Sequence, residues 1–146
     1  MFTVARRRMH KIGYCMHMKQ LVSESGILPF LERYATYAVV GHKEPDGDCI
    51  GSQLALASFL ERRGKRVVLL SSGPFTRTEI AAYAPRFSDD PGSALKDAGS
   101  CALVVLDCSS ISRIGSIAEK LPADLPVAFI DHHSSGDAAE IGRAHV

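Results

Sequence analysis

Three short stretches of this chain concentrate the side chains that could do chemistry. GHKEPDGDCIGS, residues 41–52, packs His42, Asp46 and Asp48 into seven positions among three glycines. VVLDCSS, residues 104–110, carries Asp107, and IDHH, residues 130–133, carries Asp131, His132 and His133. Carboxylates that converge cannot all stay ionised without a compensating charge, and a divalent cation supplies one. A closed structural zinc site takes four ligands, often cysteines. This set is larger and richer in oxygen, which suits Mn²⁺ or Mg²⁺ ahead of Fe²⁺ or Zn²⁺. Two such ions about 3.5–4 Å apart, bridged by a carboxylate, form a phosphoryl-transfer site. Taken singly, each residue has a plainer reading: His42 as a satisfied polar residue, Asp46 and Asp48 as turn formers or helix caps, Asp107 as a cap for the next helix. The conjunction, and the tandem DHH above all, favours the chemical reading.

The elements that must position these residues can be read from apolar periodicity. YAVVGH, 37–42, is a short apolar run and reads as a buried strand. Residues 49–63 read as a helix, with Ile50, Leu54, Ala57 and Leu60 on one face, Asp46 or Asp48 as its cap and Gly64 as its end. KRVVLLSS, 65–72, is a second strand, completing a strand–helix–strand unit. Residues 73–99 are turn-rich with a short helix or two. CALVVLDCSS, 101–110, is the third strand, 113–121 a helix, and 126–133 the fourth strand. A lead-in helix over 21–36 carries Leu21, Ile27, Leu28, Leu31 and Tyr34, a stripe broken by Gly26 and Pro29. The class is α/β: a parallel sheet with crossover helices, Rossmann-like. Ligands of such sheets bind outside the carboxyl ends of the strands, where all the residues above fall. Gly47 and Gly51 permit a sharp turn, and the helix that follows aims its N-terminus at the site, favourably for a phosphate. There is no GxxxxGK[ST], so this is not a P-loop, and the first turn is not GxGxxG, as a generic dinucleotide-binding domain would need.

Composition narrows the class further. The chain has 146 residues, 46% hydrophobic, with a net charge of +1, and so carries no overall electrostatic commitment to nucleic acid or acidic lipid. No apolar stretch is long enough to span a membrane. Residues 1–20 hold Arg6, Arg7, Arg8, Lys11 and Lys19 without an acid, leaving 12 bases against 16 acids beyond. That start reads as disordered or wrongly assigned, with Met16 or Met18 equally serviceable, since no signal-peptide core or cleavage site follows. Cys15, Cys49, Cys101 and Cys108 lack CxxC spacing and read as reduced, mostly buried thiols of a cytoplasmic protein.

In order and spacing, GHKEPDGDCIGS, VVLDCSS and IDHH resemble the first three motifs of the DHH phosphoesterase superfamily, the RecJ-like enzymes. The form HxxPDGDxIGS is most similar to the bifunctional oligoribonuclease/pAp phosphatase branch. The resemblance covers roughly residues 21–136. It implies a metal-dependent phosphodiesterase or phosphatase, with Mn²⁺ as cofactor (two ions, Mg²⁺ as the alternative) and a short oligonucleotide or nucleotide phosphate as substrate. His42 and Asp46 would hold one ion, Asp48 and His132 the other, and Asp107 would bridge them. Asp131 would orient its neighbours, His133 would contact the substrate phosphate or leaving oxygen, and a water activated between the metals would attack phosphorus. Arg77, in GPFTRTEI, is a candidate substrate contact against its plainer reading as a solvated loop arginine. The resemblance also implies a homodimer.

The family's fourth motif, with another metal-binding Asp, and its smaller C-terminal substrate domain have no counterpart here. Asp137 does not match in position. Residues 21–146 therefore read as an incomplete N-terminal phosphoesterase domain. Three functions stay open on this reading: an oligonucleotide or pAp hydrolase, a pyrophosphatase or exopolyphosphatase of the same superfamily, and an inactive fragment that binds metal or nucleotide.

Overall fold

A computed structural model of the protein describes residues 26–95 and 99–131. The basic start, Cys15, Leu21, His132, His133 and Asp137 lie outside the described residues. The elements run α1 (Ile27–Arg33), β1 (Thr36–Val40), α2 (Gly47–Glu61), β2 (Arg66–Leu70), α3 (Thr78–Ala81), β3 (Cys101–Leu106), α4 (Ile117–Lys120) and β4 (Val127–Ile130). Single 3₁₀ turns at Ala84–Arg86, Gly92–Leu95 and Ile111–Ile114 fill the connections. The four strands form one all-parallel sheet in the order β2-β1-β3-β4. This is the α/β architecture expected from the apolar runs.

The two central strands, β1 and β3, are buried along their whole length, because both faces of the sheet are covered. Side chains alternate across them. Ala38, Val40, Leu103 and Val105 join Leu95, Ile114, Ile117 and Leu125 on one face. Tyr37, Val39, Ala102, Val104 and Leu106 join Phe30, Leu31 and Leu60 on the other. Tyr37 is wholly buried and its hydroxyl is satisfied: it donates to Phe30 O at 2.6 Å and accepts from Tyr34 N–H at 3.0 Å. Lys65 Nζ caps the end of α1 by donating to Glu32 O and Tyr34 O, at 2.7 and 2.8 Å.

Several boundaries differ from the pattern. Among described residues α1 begins at Ile27, with Gly26 as its cap. Pro29 does not break it, because in the first turn a missing N–H costs no helical bond. β3 and β4 stop at Leu106 and Ile130, before their acidic ends. The expected helix over 113–121 divides into the 3₁₀ turn and α4, separated by Gly115 at φ 71°. In α2 the buried positions are Cys49, Ile50, Gln53, Ala57 and Leu60, so Gln53 takes the place expected of Leu54. A buried amide demands partners. With its nitrogen turned to the sheet, Gln53 donates to Val39 O (3.2 Å) and Leu70 O (3.1 Å), which leaves its oxygen 3.5 Å from Cys49 Sγ.

Candidate metal centre

Strand register alone sets the site. Val40 pairs with Val105, so His42, two residues on, stands level with Asp107. Leu106 pairs with Ile130, so Asp107 stands level with Asp131, and Asp107 N–H donates to Ile130 O at 3.1 Å. Parallel neighbours with equal overrun thus set His42, Asp107 and Asp131 in one row across three adjacent strand ends. Asp107 sits at φ 50°, a left-handed conformation that Asp tolerates better than most residues, and there the chain leaves the sheet.

The row closes up around His42. Its Nδ1 lies 2.8 Å from Lys43 O, a contact in which that nitrogen donates to the carbonyl, and this turns Nε2 toward the acids. Nε2 faces Asp107 Oδ2 at 3.6 Å and Asp46 Oδ1 at 4.0 Å. A histidine whose far nitrogen is held by a backbone carbonyl is oriented as metal-ligating histidines are. The His42 and Asp107 side chains are 15% and 10% exposed, enough for a small ion and too little for free solvation.

Asp46 has two roles. It is the N-cap of α2, accepting from Cys49 N–H at 3.0 Å. That bond, then the charges of His42 and Arg77 and the Asp48 N–H, hold its carboxyl below the ordinary carboxylate range against the opposing effect of burial. It therefore stays ionised beside His42. Asp48, in the first turn of the helix, is exposed. Arg77 precedes α3, exposed, and its charge reaches Asp46, so the loop arginine lies beside the site. Asp131 is half-buried just past β4, and its charge reaches Cys108 together with that of Asp107.

Three loops are tied together around this row. Lys43 N–H donates to Arg113 O (2.8 Å), Glu44 N–H to Gly73 O (2.9 Å), and Ser72 Oγ to Ile114 O (2.5 Å). The segments after β1, β2 and β3 thus brace one another. Cys49 is the member that sequence reasoning missed as part of the site. Its sulfur is buried against β1, and the ligand atoms of His42, Cys49 and Asp107 all lie within 4.8 Å of one another. Its place on the first helical turn, one residue past Asp48, is the signal that could have marked it. Burial pushes its thiol up to about 12. Cys49, Cys101 and Cys108 are all buried, as expected.

The donor types suit a hard divalent cation: one imidazole nitrogen with two carboxylates beside it, His42 and Asp46 from the turn after β1 and Asp107 from the end of β3. A profile of the DHH family, N-terminal domain, matches residues 36–145. The chain belongs to the DHH family. It is 30% identical over 108 residues to the bifunctional oligoribonuclease and PAP phosphatase of Thermus thermophilus, covering 74% of this chain and 30% of that protein. Against the manganese-dependent inorganic pyrophosphatase of Methanothrix thermoacetophila it is 27% identical over 99 residues, 68% of this chain and 31% of the relative. The chain therefore spans under a third of the length of these curated relatives. A crystal structure of an exopolyphosphatase-related protein from Bacteroides fragilis shares the fold at a TM-score of 0.58 and 24% identity, covering 83% of this chain and 38% of that one.

Proposed function

We propose that this DHH-family chain supplies the metal-binding half of a phosphoester hydrolase, acting on short oligonucleotides or on pAp. The observation that carries the reading is His42 Nε2 facing Asp107 and Asp46 while Nδ1 is held by Lys43 O. His42, Asp46 and Asp107, with Asp48 and His132, would hold the divalent metal. Mn²⁺ is the proposed metal, supported by the manganese dependence in the name of the Methanothrix relative. When bound, such ions lower the pKa of water and neutralise charge on the phosphoryl group. The chain's own residues do the rest. Lys43 O holds His42 Nδ1 and so aims Nε2 at the acids. The Cys49 N–H keeps Asp46 ionised as a ligand. Arg77 stands where it can meet a phosphate oxygen. Asp131 steadies the row beside Asp107, and His133 contacts the substrate phosphate or leaving oxygen. Buried cysteines without CxxC spacing support a reducing, cytoplasmic setting.

A second reading, pyrophosphate hydrolysis, is favoured by the match to the Methanothrix protein. One panel separates them: Mn²⁺-dependent hydrolysis of pAp, a dinucleotide, pyrophosphate and bis-p-nitrophenyl phosphate by the chain and its Asp107→Ala variant. Turnover of pAp or the dinucleotide, abolished in the variant, is the expected result. Preference for pyrophosphate establishes the second reading. Mn²⁺ binding that is lost in the variant, with no turnover of any substrate, supports the metal centre and refutes hydrolysis by this chain. Equal turnover in both proteins refutes the site.

A further inference from the structure

The proposed metal ligands His42 and Asp107 have a third potential donor beneath them. We propose that Cys49 makes this centre a trap for thiophilic divalent cations: Cd²⁺ or Zn²⁺ binds through the His42 imidazole, Cys49 Sγ and Asp107, in competition with Mn²⁺. The inference rests on the reading of His42 and Asp107 as metal ligands.

The sulfur is held in place from the protein side. A Cβ on Gly41 would lie 2.1 Å from it, so the glycine is what lets Sγ sit against the end of β1. The Gln53 side chain reaches the sulfur at 3.5 Å from the next helical turn. Within reach on the remaining side are the imidazole and the Asp107 carboxylate, each with a ligand atom no more than 4.8 Å from Sγ. Closing that triangle on an ion takes side-chain shifts of about an ångström, since tetrahedral zinc holds its ligands at about 2.0–2.3 Å.

Ligand softness decides which ion uses the sulfur. Mn²⁺ prefers oxygen and imidazole and is served by His42, Asp46 and Asp107, whereas thiolate selects softer ions. One imidazole, one carboxylate and one thiolate make three protein ligands with a fourth position open, the count of an accessible zinc site. Binding through sulfur is an exchange: the S–H proton leaves to solvent as the sulfur–metal bond forms, one proton released for each ion bound. A thiophilic ion would then lie deeper than Mn²⁺, bonded to the first turn of α2.

The test is a Cd²⁺ titration of the metal-stripped 146-residue chain, read by the sulfur-to-cadmium charge-transfer band in the ultraviolet, with Mn²⁺ binding followed on the same sample. One equivalent of Cd²⁺ should raise the band, and excess Mn²⁺ should diminish it. Cys49→Ala should abolish it, and Cys15→Ala, Cys101→Ala and Cys108→Ala should each retain it. Affinity for Cd²⁺ should fall in Cys49→Ala by at least about 10-fold more than affinity for Mn²⁺, the scale on which supporting groups act at metal sites. Cys49→Ser gives the same loss and guards against an alanine variant that fails to fold, with far-ultraviolet circular dichroism as the control. A band that survives in Cys49→Ala and Cys49→Ser, or that is indifferent to Asp107→Asn, overturns the inference. Absence of any band in the parent chain also overturns it. If Mn²⁺ binding is still lost in Asp107→Asn, the metal centre stands without Cys49, whereas loss of both signals refutes the metal centre as well.

Discussion

Gly41→Ala tests how the site is seated on the sheet. Gly41 is buried between β1 and His42. Its ideal Cβ would stand 2.1 Å from Cys49 Sγ, 2.9 Å from the Gln53 side-chain oxygen in the orientation described above and 3.4 Å from Leu106 O. Non-bonded heavy atoms settle at about 3.5–4.0 Å, so the sulfur must retreat by roughly 1.4 Å or more. It has little freedom to do so. Cys49 is wholly buried, and the helix that carries it is pinned by the Asp46 cap and by Gln53 on the sheet. Overpacking of this kind costs about 1–3 kcal/mol, opposed by a gain of up to about 1 kcal/mol from stiffening the unfolded chain. The expected net loss is about 1–2 kcal/mol, or roughly 3–6 °C in Tm for a chain of this size. Urea unfolding should show a lower midpoint with an unchanged slope. The double variant Gly41→Ala/Cys49→Ala removes the 2.1 Å overlap, so its destabilisation should be smaller than the sum of the single ones, with a coupling of about 0.5–3 kcal/mol. A Gly41→Ala protein within about 0.5 kcal/mol of the parent, or strict additivity in the double variant, would refute the packing of Cys49 against β1.

Three further outcomes follow from contacts already described. Lys65→Met removes two charge-assisted bonds to the end of α1 and should cost about 1.5 kcal/mol in urea unfolding, a loss absent if those carbonyls find water equally well. Asp46→Ala removes the cap of α2 and should cost about 1 kcal/mol at neutral pH in chelator. Because folding lowers the Asp46 pKa, its contribution is complete above the unfolded value of about 3.9 and fades as pH falls through the folded one, so parent and variant should converge below about pH 4 and a gap constant from pH 7 to 3 would contradict this. Asp107→Asn keeps a side chain that tolerates φ 50° and removes only the charge: stability without metal should change little, while Mn²⁺ affinity measured by calorimetry should drop by more than about 10-fold.

The sheet was legible because β1 and β3 are buried on both faces and so read as unbroken apolar runs. The ends of those runs were less legible. VVLDCSS reads as one strand to Ser110, yet the backbone turns at Asp107, since nothing in a run of residues states its φ. Gln53 was missed for a related reason: periodicity scores an amide as surface, and only the carbonyls of Val39 and Leu70, on two different strands, make it a core residue. Cys49 escaped likewise. Its thiol reads as an ordinary buried group, and the proximity of His42 and Asp107 exists only after β1, β3 and α2 have packed.

The candidate site depends on register more than on any single side chain. His42 and Asp107 are 65 positions apart and meet because β1 and β3 pair in parallel with Val40 opposite Val105. A slip of one residue would turn every side chain of a strand to the other face, breaking both apolar clusters at once. The energy that fixes the site is therefore the energy of the core, and the acids and imidazole add no register of their own. What they add is local aim: the Lys43 carbonyl for His42, the Cys49 N–H for Asp46 and the left-handed turn for Asp107. Each aiming contact is backbone in origin, so the charges could be changed one at a time while the position of the site is kept. Asp107→Asn examines the metal centre for that reason, whereas Gly41→Ala examines its foundation. Dissimilar results from the two, lost metal affinity with an intact fold in one and a softened fold in the other, are what this division of labour requires.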